Sequence, residues 1–182
     1  MFEQRVSSRY AKAMLQTAVK EGVADTLYKD FKFVDSLLDM SDELKSLTQS
    51  PVIRNWMKKN IYKELFEGRV SALAFQFIMM LTVKNRDGLI PSIVNQYVVQ
   101  YNKMNNLLPV EVFTTEELDA GLKAKIELQL TNWSKKKILP EYKIDPSIKG
   151  GILIKVDDWV YDGSVRHQLE MLHERLISGD AS

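Results

Sequence analysis

The sequence predicts an α+β protein, mostly α, in which an N-terminal six-helix bundle over residues 1–105 is followed by a small α+β unit over 106–182. Three observations lead there. Apolar residues recur at helical spacing from Tyr10 to Tyr101, with short polar links between the runs. At Leu108-Pro109-Val110-Glu111-Val112-Phe113 the pattern changes to strict alternation, that of a strand with one buried face. Near the end, the stretch from Ile148 to Leu169 reads as a hairpin feeding directly into a helix.

In the first half, Ser7 or Ser8 is expected to cap a helix with Tyr10, Met14 and Ala18 on one face and Ala11 and Ala13 beside them, stopped by Gly22. Leu27, Phe31, Val34 and Leu38 trace the inner face of a second helix. Ser41-Asp42 opens a short third segment through Leu44 and Leu47. Ser50-Pro51 then separates it from a fourth helix bearing Ile53, Trp56, Met57 and Ile61. From Val70 to Val83 the chain is apolar apart from Ser71, Gln76 and Thr82. Those 14 residues fall short of the ~20 that cross a membrane, so they predict a helix buried at the centre of the bundle. Asn85-Arg86-Asp87-Gly88 makes a turn, and a sixth helix turns Ile93, Tyr97 and Tyr101 inward. Short links between six helices favour a compact antiparallel bundle. Ala11, Ala13 and Ala18 let a neighbouring helix approach closely, whether from inside the bundle or from a partner.

In the second half, Thr114 and Glu117 have the spacing of a capping box for a helix with Leu118, Leu122, Ile126 and Leu130. Lys135-Lys136-Lys137 leads to a strand around Tyr142-Lys143-Ile144, and Asp145-Pro146-Ser147 turns the chain again. Ile152, Ile154 and Val156 alternate with Leu153, Lys155 and Asp157; Asp157-Asp158 supplies a turn, and Trp159-Val160-Tyr161 returns. After Asp162-Gly163, Ser164 is placed to cap a last helix with Val165, Leu169, Leu172 and Leu176 at helical spacing.

Composition narrows the function. The chain has 182 residues, 45% hydrophobic and 27% charged, which is the balance of a folded domain rather than a disordered one. Net charge is +1, with 15 Lys/Arg against 11 Asp/Glu in residues 1–106 and 10 against 13 in 107–182. So weak a polarity suits two surfaces meeting different partners better than a phosphate binder. The absence of Cys excludes disulfides, thiolate metal sites and a Cys nucleophile. The opening residues lack the apolar core of a secretory signal, which predicts a protein that stays in the cytoplasm.

No stretch carries a catalytic constellation. His167 and His173 lie six apart on one helix and so face different ways, unlike the i, i+4 pair of a zinc helix. Gly150-Gly151 precedes a strand rather than a helix, where a phosphate loop would not stand, and is read as backbone freedom for close packing. Lys135 to Lys137, with Trp133 and Tyr142 near, could meet phosphates and bases; a solvated loop is the simpler reading. Asp157, Asp158 and Asp162 lack the spacing of a calcium loop and are read as turn residues. The expectation is a protein with no catalytic residue, no metal and no cofactor.

Three segments together resemble a known family. Gly150-Gly151-Ile152-Leu153-Ile154-Lys155-Val156, followed by Trp159-Val160-Tyr161-Asp162-Gly163-Ser164, is similar to the terminal strand, strand and helix pattern of the delta subunit of F-type ATP synthases, called in mitochondria the oligomycin sensitivity-conferring protein. Arg9-Tyr10-Ala11-Lys12-Ala13-Met14 resembles that family's opening helix. Val83-Lys84-Asn85-Arg86-Asp87-Gly88-Leu89-Ile90-Pro91 resembles its basic turn between helices five and six. His167-Gln168 and Asp87-Gly88 depart from the family pattern locally.

The resemblance implies a non-catalytic stator subunit that links the catalytic alpha/beta ring to the b-subunit stalk, one copy per complex. It also implies a peripheral place on the cytoplasmic face of a bacterial plasma membrane, with no nucleic acid and with membrane association only through the complex. On that analogy the N-terminal helix of an alpha subunit docks between helices one and five, with Tyr10, Ala11, Ala13, Met14, Phe75, Met79 and Met80 as candidates. Val165, Leu169 and Leu172 are expected to secure the last helix to the hairpin, leaving Leu153, Met171 and Ile177 as apolar surface for the stalk. The competing class is a free-standing RNA-binding or adaptor module.

Overall fold

The structure is a computed structural model and describes residues 2–50 and 53–178. These fall into two compact units, one ending at Met104 and the other starting at Asn105. Among the described residues, the first unit holds α1 (Phe2–Lys20), α2 (Ala24–Met40), α3 (Asp42–Gln49), α4 (Asn55–Phe66), α5 (Ala72–Val83) and α6 (Ile90–Met104). A single 3-10 turn at Asp87–Leu89 precedes α6.

α1 packs on α6 and α2, and α5 on α2 and α4. Ala11 and Ala18 are fully buried, so the small residues of α1 serve close contact inside the unit. α1 begins upstream of Ser7 and Ser8, which therefore do not cap it. Ser7 is buried, and the Ser8 carbonyl and hydroxyl accept from the Gln100 amide of α6 at 3.1 and 3.2 Å. Gly22, at φ +70°, ends the helix as its position predicted. Val23 N–H donates to Ala18 O and Gly22 N–H to Val19 O, the paired bonds of a left-handed helix stop.

Leu27, Phe31, Val34 and Leu38 of α2 are all buried, in line with their spacing. Phe31 meets the Tyr97 ring edge-on at 4.8 Å and the Phe77 ring at 6.1 Å, which joins α2, α5 and α6 at the core. The Tyr97 hydroxyl donates to Ala24 O at 3.2 Å, satisfying the polar tip of a buried ring.

α4 differs from its predicted face. Trp56 and Met57 are exposed, whereas Lys58, Tyr62 and Phe66 point inward. The reason is electrostatic: Lys58 finds Asp87 at 2.6 Å, and a paired Lys can occupy a position that an unpaired one could not. Pro51, the expected punctuation, lies outside the described residues.

α5 is also less buried than its composition predicted. Ala74, Phe77, Ile78, Leu81 and Thr82 face inward, while Phe75, Met79 and Met80 stay half-buried and Val83 is exposed.

The second unit holds β1 (Leu107–Thr114), α7 (Ala120–Ser134), β2 (Lys137–Ile144), β3 (Ile152–Val156), β4 (Trp159–Asp162) and α8 (Val165–Ser178). The sheet order is β2-β1-β3-β4, with β1 and β2 parallel and the other neighbours antiparallel. The parallel pair requires a crossover, and α7 provides it. Leu108, Val110 and Val112 of β1 join Ile138, Ile154 and Val156 beneath Ile126 and Leu130 of α7. The opposite sheet face is polar around Phe113, with Lys143 and Lys155 ammonium groups 5.9 and 4.7 Å from its ring centroid and Lys143 paired to Glu111.

Thr114 and Glu117 do not form the expected capping box. α7 starts at Ala120, not after Thr114, because Asp119 Oδ1 accepts from Leu122 N–H at 2.8 Å and so caps the helix. Thr114 instead ends β1, and its hydroxyl donates to Glu116 O.

Candidate functional site

On the first unit the half-buried Tyr10 of α1 lies beside α5, its ring 6.2 Å from that of Phe77. Arg86 fixes it: the guanidinium Nη1 donates to the Tyr10 hydroxyl at 2.5 Å, and the guanidinium carbon is 5.8 Å from the ring centroid. Ser71 caps α5 by accepting from Ala74 N–H, and Asp30 of α2 accepts from Ser71 N–H at 2.9 Å. The open side of α5 then offers Phe75, Met79 and Met80, flexible and apolar, with Val83 beyond them.

On the second unit the hairpin and α8 are joined so closely at two glycines that neither could carry a side chain without a shift. A Cβ on Gly151 would stand 2.3 Å from Gly163 O, and one on Gly150 would stand 3.0 Å from Val165 Cγ2. Gly163 N–H donates to Ile152 O and Val165 N–H to Gly150 O, so the strand entry and the helix start bind each other. Ser164 caps α8 as predicted, its hydroxyl accepting from His167 N–H at 3.1 Å. Hydrogen bonds from Ser164, through hydroxyl and backbone N–H, hold the Asp162 carboxyl below its ordinary value.

Beyond this knot α8 leaves its apolar stripe in solvent. Val165, Leu169, Leu172 and Leu176 are 39, 51, 54 and 71% exposed, and Met171 and Ile177 are exposed beside them. Such a contiguous apolar face marks a surface of association. A second exposed apolar feature lies at the sheet edge. Trp133 of α7 stacks on Trp159 of β4 at 5.2 Å, and Trp159 on Tyr161 at 6.1 Å.

No group of three or more metal-ligating side chains occurs among the described residues, and none of their helices is long and apolar enough to cross a membrane. The arrangement offers apolar surfaces suited to contact.

Comparison with known proteins decides the family. The family model for the ATP synthase delta (OSCP) subunit matches residues 6–176. The chain belongs to that family. It is 30% identical over 174 residues to the ATP synthase subunit delta of Chloroherpeton thalassium, covering 96% of this chain and 95% of the relative. With the subunit delta of Symbiobacterium thermophilum it shares 28% over 182 residues, covering 100 and 98%. Among solved structures it matches a chain of the Toxoplasma gondii mitochondrial ATP synthase hexamer with a TM-score of 0.69, covering 94% of this chain and 97% of that one. At 18% identity, that likeness speaks for the fold. Membership makes the chain a stator subunit of an ATP synthase, a component of its peripheral stalk.

The structure sorts the residues that the resemblance had singled out. Tyr10 and Ala13 of α1 are accessible, as are Phe75, Met79 and Met80 of α5. Ala11 and Met14, at 0 and 8% exposure, belong to the core of the unit. The side of α1 that carries them is the one packed inside the unit. In the second unit, Val165 does meet the hairpin, its Cγ2 lying against Gly150 and its N–H donating to Gly150 O, whereas Leu169 and Leu172 are 51 and 54% exposed. Leu153, expected at the surface, is 9% exposed, between its sheet partners Phe113 of β1 and Asp162 of β4.

Sequence reasoning missed two features. One is the Lys58–Asp87 pair, which falls between segments 29 residues apart and leaves no local pattern. The other is the ladder of Trp133, Trp159 and Tyr161, for which the two-residue spacing of Trp159 and Tyr161 was an available signal.

Proposed function

We propose that this chain is the non-catalytic link of the stator. In this reading the first unit, acting as a six-helix bundle, receives the N-terminal helix of an alpha subunit, and the second unit meets the b-subunit stalk. One copy serves each complex, held at the cytoplasmic face of the plasma membrane through the complex and not by insertion. The observation that carries it is that both units of this family member keep apolar side chains accessible on a helix, half-buried on α5 and exposed along α8. Covering a Leu side chain fully contributes about 1.5–3 kcal/mol, so half-exposed leucines must act together to offset the entropy of association. A rigid helix presents them together, which suits a part that transmits torque and does no chemistry.

The test is a calorimetric titration of the full-length chain with a synthetic peptide of the alpha subunit's N-terminal helix. Tyr10→Asp with Ala13→Glu places two carboxylates on the accessible side of α1. The peptide should bind at least tenfold more weakly while the circular dichroism spectrum stays native. Unchanged affinity would remove α1 from the docking surface.

A further inference from the structure

The turn between α5 and α6 is fastened from three sides. Asn85 takes the left-handed conformation at φ +54°, with its N–H donating to Thr82 O and that of Arg86 donating to Leu81 O at 2.8 Å. Asn55, the first residue of α4, donates its side-chain amide to Asn85 Oδ1 at 2.7 Å. Two residues on, Asp87 Oδ2 accepts from Lys58 Nζ at 2.6 Å, and their side chains are only 5 and 6% exposed. Lys58 Nζ also reaches Thr48 O of α3 at 3.4 Å, so α3, α4 and the turn share one buried charge.

Between the two anchors stands Arg86, the residue that grips Tyr10. An Arg side chain loses much rotamer freedom when held, and it can hold an aromatic ring in one place only if its own backbone is fixed. A buried ion pair is a poor source of stability, since a well-packed apolar pair often serves equally well, but it does define geometry. We propose that Lys58 and Asp87 are a positioning pair for the α1/α5 docking surface: they lock the α5–α6 turn so that Arg86 presents the Tyr10 ring in the orientation a docking helix meets. This rests on the reading of that surface given above.

Two measurements on the full-length chain test it. In calorimetry with the alpha N-terminal peptide, Asp87→Asn and Arg86→Gln should each weaken binding about three- to tenfold, and the double variant should be no weaker than the worse single one. Losses that multiply, or an Asp87→Asn chain with native circular dichroism and unchanged Kd, overturn the proposal. The second measurement needs no peptide. In a chain labelled with 3-fluorotyrosine, the fluorine resonance that disappears in Tyr10→Phe belongs to Tyr10. It should move in Asp87→Asn in the same direction as in Arg86→Gln, and a resonance that stays put overturns the relay. A wild-type chain that does not bind the peptide refutes the docking reading instead, and the fluorine shift still judges whether Asp87 acts through Arg86. Should Asp87→Asn fail to fold, Lys58→Met with Asp87→Met removes both charges while filling the space. It should give the same shift and the same weakening.

Discussion

At Gly151 the backbone sits at φ +76° with the Gly163 carbonyl oxygen where a Cβ would be. Gly22 has a similar φ of +70° but open space around it. The comparison separates conformational cost from collision. Gly22→Ala should lose about 1–2 kcal/mol, the left-handed penalty alone, whereas Gly151→Ala adds a backbone clash and should lose several times as much, read as a lower melting temperature of the second unit by calorimetry. Equal losses at the two sites would show that the knot can open without cost. Residues of this kind are half legible in sequence. Gly150-Gly151 already pointed to close packing, and Ser164 to a cap, because both act on neighbours within a few positions. Asp87 looked like a turn residue, since the Lys58 that buries it lies on another helix. The cap at Asp119 was missed for a different reason: Thr114 and Glu117 match the capping pattern, yet strand pairing with β3 and β2 claims Thr114 first.

Helices α5 and α8 show how an element's composition and its burial part company. α5 is apolar all round, which predicts burial on every side, but packing against α2 and α4 covers one face only. α8 has a regular leucine stripe, which predicts an inward face, and that stripe is in solvent. Periodicity states that a face is to be buried and not what will bury it. In an assembly the covering surface can belong to another chain. Leu169→Asp with Leu172→Asp should therefore leave the melting temperature nearly unchanged, within about 0.5 kcal/mol as for other exposed substitutions. The same variant should recover at least tenfold less b subunit when the tagged chain is pulled from solubilised membranes. Equal recovery would show that α8 is not the stalk surface, and would turn attention to the ladder of Trp133, Trp159 and Tyr161.

For the whole molecule, both units carry tyrosines that resist ionisation. Burial, then the bond to Asp25, pushes Tyr101 up to about 12; burial, then the charge of Glu127, pushes Tyr142 up to about 12. A raised acid stabilises the fold below its ordinary value of 10.0 and gives that contribution up as pH climbs to the folded value. Stability should fall between pH 10 and about 12 in both units. Tyr101→Phe and Tyr142→Phe should each flatten this alkaline limb in calorimetric scans, and limbs of wild-type slope would refute the assignment. On the acid side, Asp162 and Asp145 are held low by Ser164 and Ser147, so their contribution is present above 3.8 and lost as pH drops through their lowered values. The helical first part, the strand-helix-strand-hairpin-helix order of the second and the family were legible in the chain, because periodicity, turns and caps act over a few residues. Which faces stay open, that Ala11, Met14 and Leu153 are core, and that Lys58 and Asp87 meet became visible in the folded chain alone. Those outcomes depend on which helices and strands become neighbours, and contact between distant segments leaves no spacing in the chain to read.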